Sequence, residues 1–356
     1  MASTKRSWHR ATVVGLAAAL AWACATGALQ AAQGQAASPD VQQLAKELAT
    51  RGWILFAARN PRGDYDLYLA RPDGTHARDL TNTPEYDEYG GRFSPDGTKM
   101  LYRRARRGGG INHDLWGAVG ALVIANADGT SPVVQGREGD WPWASWSPDG
   151  RQIACLYKRE GRIRIIELAT KRVVKELPRQ GIFQQMYWSP DGKRLVGTAN
   201  VSGQDWNVVA LELETGKVTL LSRQLNCTGD WFQNDPNRVI YSNRTPGLAN
   251  DYGWTMLMEA NADGQSRTLL YGERGRHIYY GCTSPDDRYA IFSFPVTDGG
   301  TDANMAIIRL ADAPIVVPED YRELKALYPN AKSGPVLRLP YPGFEPHWTY
   351  AEIGGR

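Results

Sequence analysis

Short apolar runs rich in β-branched and aromatic residues recur along the chain, separated at close intervals by Pro, Asp, Asn and Gly. WILFAAR from Trp53, DLYLAR from Asp66, RIRIIEL from Arg162 and RVVKEL from Arg172 all read as strands, because short runs rich in β-branched, aromatic and other apolar residues suit a pleated, buried surface. One early segment has helical spacing instead. SPDVQQLAKELATRG offers Ser38 as N-cap, Pro39 at the first helical position, Val41, Leu44, Ala45 and Leu48 on one stripe, and Gly52 as a stop. A second helix is expected in PEDYRELKALYP from Pro318, inserted before PVLRLP.

The strand pattern repeats. Aligned without gaps, the chain reads FSPDGTKML from Phe93, WSPDGRQIA from Trp146, WSPDGKRLV from Trp188, FQNDPNRVI from Phe232 and TSPDDRYAI from Thr283. In each copy a strand enters a turn and another leaves it. Pro presets φ, the carboxylate of Asp96, Asp149, Asp191, Asp235 or Asp286 accepts from nearby backbone N–H groups, and Gly tolerates positive φ. Two further strands follow each copy, so the unit is a four-stranded meander, and the copies start 53, 42, 44 and 51 residues apart. That period is the length of a propeller blade.

The chain ends complete the count. The strands from Trp53 and Asp66, with ARDL from Ala77, supply the second to fourth strands of a blade, and EPHWTYAE from Glu345 supplies an innermost strand with Trp348 in the aromatic position. The expected fold is an all-β, six-bladed propeller whose C-terminal strand closes the N-terminal blade and removes its free edge. Insertions interrupt it at RRARRGGGINHDLWGAVG from Arg103, NRTPGLANDYGW from Asn243 and TDGGTDANM from Thr297.

Composition agrees and adds a destination. With 356 residues, 42% hydrophobic, and 37 Gly, 21 Pro, 12 Trp and 17 Tyr, the chain has ample material for a turn-rich β core. Its formal charge of +3 is too small to argue for nucleic acid or an anionic membrane. Lys5, Arg6 and Arg10 precede the apolar ATVVGLAAALAWA and small residues around Ala28 to Ala32, the pattern of a secretory signal. The organisation expected is a signal over 1–31, a helix and linker over 32–52 and the propeller over 53–352. The mature chain is then periplasmic or secreted, with no transmembrane span after cleavage. Acylation at Cys24 is disfavoured by bulky Trp22. Cys155, Cys227 and Cys282 remain after cleavage; Cys227 with Cys282 is the disulfide to test, and three buried thiols are the alternative.

WSPDGRQIA, WSPDGKRLV, LTNTPEYDEYGGRFSPDGTKMLY from Leu80 and DYDLYLARPDGTHARDLT resemble the Pro-Asp propeller repeats of TolB-type periplasmic proteins. The resemblance covers roughly residues 53 to 350 and is specific for the fold. It implies blades found in partner-binding scaffolds, in non-catalytic domains of prolyl-oligopeptidase-like peptidases and in some polysaccharide lyases. TolB's N-terminal α/β domain has no counterpart of comparable length between the signal and Trp53, and no G-x-S-x-G elbow is present. Resemblance to oligogalacturonate lyase implies a histidine-rich metal site, for which His76, His113, His277 and His347 are the histidines outside the signal.

Innermost strands line a propeller's channel, so residues early in each strand that runs into a turn are the candidates for a channel mouth. They are Arg92, Trp143, Gln185, Asp230, Tyr280 and Glu345, with Asp140 and His347 close by. This mixture of charges, amides and aromatics suits a sugar, a peptide or a partner's loop; a silent water-filled channel is the competing reading. His277 and His347 would form a metal site if they converge with Glu345 or Asp230, and structural hydrogen bonds otherwise. Tyr279, Tyr280 and Arg276 fit either the base and charge stabiliser of a lyase or packing between blades. RRARR, Arg103 to Arg107, reads as a solvated cationic loop or an acidic-partner dock, and TPEYDEYGG, with Glu85, Asp87 and Glu88, as surface.

The function expected is a non-catalytic protein- or ligand-binding scaffold of the cell envelope, engaging an envelope protein, peptide or glycan at the channel mouth, without cofactor, metal or nucleic acid. The alternative is a polysaccharide lyase acting on a uronic-acid polymer.

Overall fold

The computed structural model describes residues 38–354, except 108–119, 137–142, 158–159, 202–205, 223–225, 246–253, 297–302 and 317–320. The insertions at Asn243 and Thr297, most of the one at Arg103, Cys24, His113 and Asp140 fall wholly or partly outside the described residues. Helix α1 (Pro39–Leu48) forms as expected: Ser38 Oγ accepts from the Val41 N–H, Pro39 opens the helix, and Leu44 and Leu48 are fully buried.

The strands follow in chain order. The first sheet contains β1 (Trp53–Arg59), β2 (Tyr65–Ala70) and β3 (Arg78–Asp79); the second contains β4 (Tyr86–Phe93), β5 (Lys99–Arg106), β6 (Ala121–Asn126) and β7 (Val133–Gln135). The third has β8 (Trp143–Trp146), β9 (Gln152–Tyr157), β10 (Arg162–Glu167) and β11 (Val173–Pro178). The fourth has β12 (Ile182–Trp188), β13 (Arg194–Ala199), β14 (Asn207–Glu212) and β15 (Val218–Ser222). The fifth is built on β16 (Cys227–Trp231), β17 (Arg238–Thr245), β18 (Trp254–Asn261) and β19 (Arg267–Gly272), and the sixth on β20 (Tyr279–Thr283), β21 (Tyr289–Ser293) and β22 (Asn304–Arg309). The segment after β22 runs through β23 (Ile315–Val316), helix α2 (Tyr321–Leu327) and β24 (Lys332–Ser333). It then returns as β25 (Leu337–Pro342), the outer strand of the sixth sheet, and the chain finishes in β26 (Phe344–Thr349).

The fold is an all-β propeller. Strand β26 pairs antiparallel with β1, Ile54 opposite Trp348, so the C-terminal strand is the innermost strand of the first sheet. Five sheets are regular four-stranded blades, against the six expected from the repeat. The remaining repeat forms a six-stranded sheet, because β23 and β24 leave the sixth repeat and add in parallel to the outer edge of β19. Two-residue strands inside an insertion carry no periodicity of their own, so the sequence gives no sign of them. Strands β4, β8, β12, β16, β20 and β26 line the interior, with neighbouring sheets in contact around the ring.

The turn motif behaves as its chemistry dictates. Ser94, Ser147, Ser189 and Ser284 each donate from Oγ to the Asp two residues later, at 2.6 to 2.7 Å. The same carboxylates accept from the backbone N–H of Thr98, Arg151, Lys193 and Arg288. Between sheets the indoles carry a second repeated bond: Trp146 Nε1 donates to the Arg92 carbonyl and Trp231 Nε1 to the Tyr187 carbonyl, each at 3.1 Å. Trp231, rather than Phe232, therefore holds the aromatic position of the fifth sheet. The ungapped alignment is one residue out of step there because the turn is longer: Phe232 N–H closes on the Arg238 carbonyl, whereas Ser94 closes on Lys99.

Further expectations are corrected. Arg103 to Arg106 belong to strand β5, and Arg103 is buried rather than solvated. Asp87 and Glu88 in β4 are buried rather than surface residues. Cys155, Cys227 and Cys282 are buried and form no disulfide, so Cys227 and Cys282 do not pair. Among the described residues no helix is long and apolar enough to cross a membrane.

Candidate ligand-binding mouth

Each innermost strand except β8 carries an irregularity at one level. The pairing register slips, and a residue there adopts a left-handed conformation: Gly90 in β4, Gln185 in β12, Thr228 in β16, Tyr280 in β20 and Glu345 in β26, with φ between 42° and 65°. Such a bulge turns one side chain out of the ladder's regular alternation. Two residues further along stand Arg92, Tyr187, Asp230, Cys282 and His347, a second level nearer the turns.

At the deeper level Arg103 reaches in from β5. Its Nη2 donates to both carboxylate oxygens of Glu345, at 2.7 and 2.8 Å, and its guanidinium lies over the rings of Trp143 and Tyr89 at 3.8 and 4.4 Å. Gly90 makes the room: a Cβ there would lie 2.6 Å from Arg103 Nε and Nη2. Gln185 is engaged locally, accepting from Thr198 Oγ1 at 2.9 Å, and Tyr280 packs its ring against Tyr279 and Phe344.

At the upper level Arg92 Nη1 donates to Asp230 Oδ2 at 2.6 Å, linking the second sheet to the fifth, three places away around the ring. The Arg92 guanidinium lies 3.6 Å from the Tyr187 ring centroid. Burial pushes the Asp230 carboxyl above its usual range against the pull of Arg92; at Arg92 burial is again the largest single influence, but Asp230, Tyr187 and Cys282 together overcome it and hold the guanidinium charged. His347 Nδ1 accepts from the Phe93 N–H at 3.1 Å. Burial, assisted by the Arg92 charge, holds the imidazole well below the ordinary histidine range and therefore neutral, with its proton on Nε2.

Above this level lies a cavity of about 520 Å³. Arg92, Asp230, Tyr187 and His347 lie at its base, and Pro95, Pro148, Pro190 and Pro285 of the repeated turns line its wall with Trp146, Trp188, Trp231 and Tyr350. It opens where the inner strands end, at the turn face, rather than where they begin. Of the expected mouth residues, Arg92, Asp230 and His347 come together at the cavity. Trp143 and Glu345 meet around Arg103 one level deeper, with Tyr280 near enough to interact with both Glu345 and Arg103, Gln185 is engaged with Thr198 at that depth, and Asp140 lies outside the described residues. The turn prolines, Tyr187 and Arg103 are the additions. The prolines were visible in the repeat, and their recurrence beside the aromatic position was the available signal.

His277 and His347 do not converge. His277 precedes β20 and sits beside Thr255, with Nδ1 at 3.2 Å from Thr255 Oγ1, whereas His347 lies near the end of β26. About five residues of strand rise, on the order of 15 Å, separate their levels. Among the described residues no group of three or more His, Cys, Asp or Glu side chains is placed to hold a metal ion.

No known family profile matches the chain. A segment of 46 residues is 52% identical to the Protein TolB homolog of Chlorobium luteolum; it covers 13% of this chain and only 10% of that relative's length. The solved TolB of Acinetobacter baumannii superposes with a TM-score of 0.61 at 16% identity, covering 84% of this chain and 67% of that one. The putative TolB of Agrobacterium tumefaciens gives 0.54 at 17% identity, over 84% of this chain and 94% of that one. At these identities the two structures speak to the fold.

Proposed function

We propose that this TolB-like β-propeller is a periplasmic or secreted binding scaffold of the cell envelope that receives part of a partner, a loop, peptide or glycan, in the cavity at its turn face. We count the six-stranded sheet as a blade, which makes the ring six-bladed, and take residues 1–31 as a cleaved signal. The observation that carries the reading is the cavity itself: an open, aromatic- and proline-lined recess with a few convergent polar groups at its base, the usual composition of a recognition site. The Arg92–Asp230 pair spans the interior beneath it, which favours insertion from one face over threading through the ring.

The uronate-lyase alternative draws on a metal pair formed by His277 and His347, and their separation leaves that route unsupported by the geometry.

The test is capture from envelope extracts with the mature protein and with Pro190→Lys, which places a flexible cation in the cavity wall at a turn position that does not require proline. A protein or glycan retained by the first and lost from the second, at unchanged melting temperature, supports the reading; equal retention overturns it. Unsaturated-product absorbance from a uronate polymer would instead support the lyase.

A further inference from the structure

Some arginines in this molecule hold two carboxylates. Arg62 bridges Asp64 and Asp66 at 3.1 and 3.2 Å, Arg309 bridges Glu47 and Asp312 at 2.9 and 3.2 Å, and Arg164 bridges Glu160 and Glu176. Arg92 holds one, Asp230, through a single Nη1 bond. Both oxygens of that carboxylate are occupied, Oδ2 by Arg92 and Oδ1 by the Trp231 N–H at 2.8 Å. Besides Asp230 the guanidinium meets Tyr187, at its hydroxyl and over its ring, and the residue lines the cavity. His347 stands beside it with Nδ1 committed to Phe93, which leaves Nε2–H as its donor. The base of the cavity thus presents donors from Arg92 and His347, while both oxygens of the Asp230 carboxylate beside them are engaged.

Resting on the cavity being the recognition site, we propose that its base is a carboxylate receptor. The Arg92 fork and His347 Nε2–H take one carboxylate of the inserted partner, with the turn prolines and indoles excluding water around it. The planar guanidinium suits a carboxylate edge, and its stacking on Tyr187 fixes the plane of the fork in advance. Low dielectric in the proline and indole collar strengthens the contact. The carboxylate comes either from an acidic side chain on a loop or from a chain terminus.

Three probes separate these sources: acetyl-Ala-Asp-Ala-amide carries a side-chain carboxylate, acetyl-Ala-Ala-Ala with a free C-terminus carries a terminal one, and acetyl-Ala-Asn-Ala-amide carries none. Each is titrated into the full-length protein while the His347 and Arg92 side-chain ¹⁵N resonances are followed. Saturable shifts with either carboxylate probe, and affinity at least about tenfold weaker for the Asn probe, are expected, and the stronger of the two names the source. Arg92→Lys keeps a cation against Asp230 but loses the fork, and should weaken binding about tenfold. His347→Asn offers an amide oxygen to the Phe93 N–H while removing the Nε2 donor, and gives an independent variant should Arg92→Lys fold poorly. Equal binding of the Asp and Asn probes overturns the carboxylate assignment while leaving the cavity a binding site. No shift with any probe also overturns it, and the scaffold reading is then decided separately by the Pro190→Lys capture.

Discussion

Arg92 and Asp230 meet at 2.6 Å across the interior of the ring, though 138 positions separate them in the chain. Each is held from a different sheet, so the pair exists only when the second and fifth sheets are both in place. Removing one partner strands the other charge in a poorly hydrated interior. Arg92→Met is expected to cost about 3–5 kcal/mol in urea unfolding, and the double variant Arg92→Met with Asp230→Leu should recover a large part of that loss. A single-variant cost below about 1 kcal/mol would show that the pair adds nothing to the ring.

Gly90 has two burdens, a left-handed φ of 65° and the Arg103 guanidinium in the space of its absent side chain. Gly216 has a similar φ of 72° with nothing within 4 Å of a Cβ added there. Gly216→Ala should cost about 1–2 kcal/mol, the price of left-handed backbone alone. Gly90→Ala should cost at least about 1 kcal/mol more, because it also displaces Arg103 from Glu345. Melting temperatures of the two variants check this, and equal losses would refute the Arg103 contribution.

Glu88 is fully buried in β4; burial is the main reason its carboxyl is pushed up to about 8, against a hydrogen bond from Thr83 Oγ1 and with the charge of Asp66 adding to the rise. The folded state therefore holds this proton more tightly than the unfolded chain does. Its stabilising effect is complete below about pH 4.5 and declines as pH rises toward about 8. Glu88→Gln keeps an oxygen for Thr83 and removes the titration, so the variant should lose less melting temperature than the parent between pH 5 and pH 8. Parallel profiles would contradict the assignment.

Helix α1 lies across the closing seam. Leu44 and Leu48 pack into the cluster containing Ile54, Tyr289 and Trp348, while Glu47 receives both Arg309 Nε and Nη2, at 2.9 and 3.0 Å. Leu44→Ala is expected to cost about 2–5 kcal/mol, whereas Glu47→Gln, at the surface, should cost about 1 kcal/mol or less. Chemical denaturation of both variants orders the two contributions.

The fold was legible to the extent that backbone demands fix residue type. Pro, Asp and Gly at the turns announced the repeat, and Trp348 in an orphan strand announced the closure. The interior was less legible. Gln185, Thr228, Tyr280 and Glu345 occupy a conformation that no side chain advertises, so the bulges, and with them the depth at which each side chain stands, leave no signature. Arg103 was misplaced for a related reason: a run of arginines reads as solvated, and only the gap at Gly90 and the distant Glu345 make one of them a buried residue. The open end of the cavity follows from which loops carry the turn prolines around the axis, a property of the assembled ring rather than of any one repeat.

The antiparallel seam between β1 and β26 places Trp53 opposite Thr349, so the outward-leading ends of both strands leave the sheet at the same edge. Tension applied through the two ends would peel this ladder one bond at a time instead of shearing it as a unit. Before any ladder bond is loaded, however, the pull must undo α1: the Glu47–Arg309 contact, the Arg51–Asp286 pair, and the bond from Trp348 Nε1 to the Arg51 carbonyl. The short helix and the Arg51 turn that follows it are thereby a mechanical fuse, and the force at which the propeller opens should be set by residues outside its repeat.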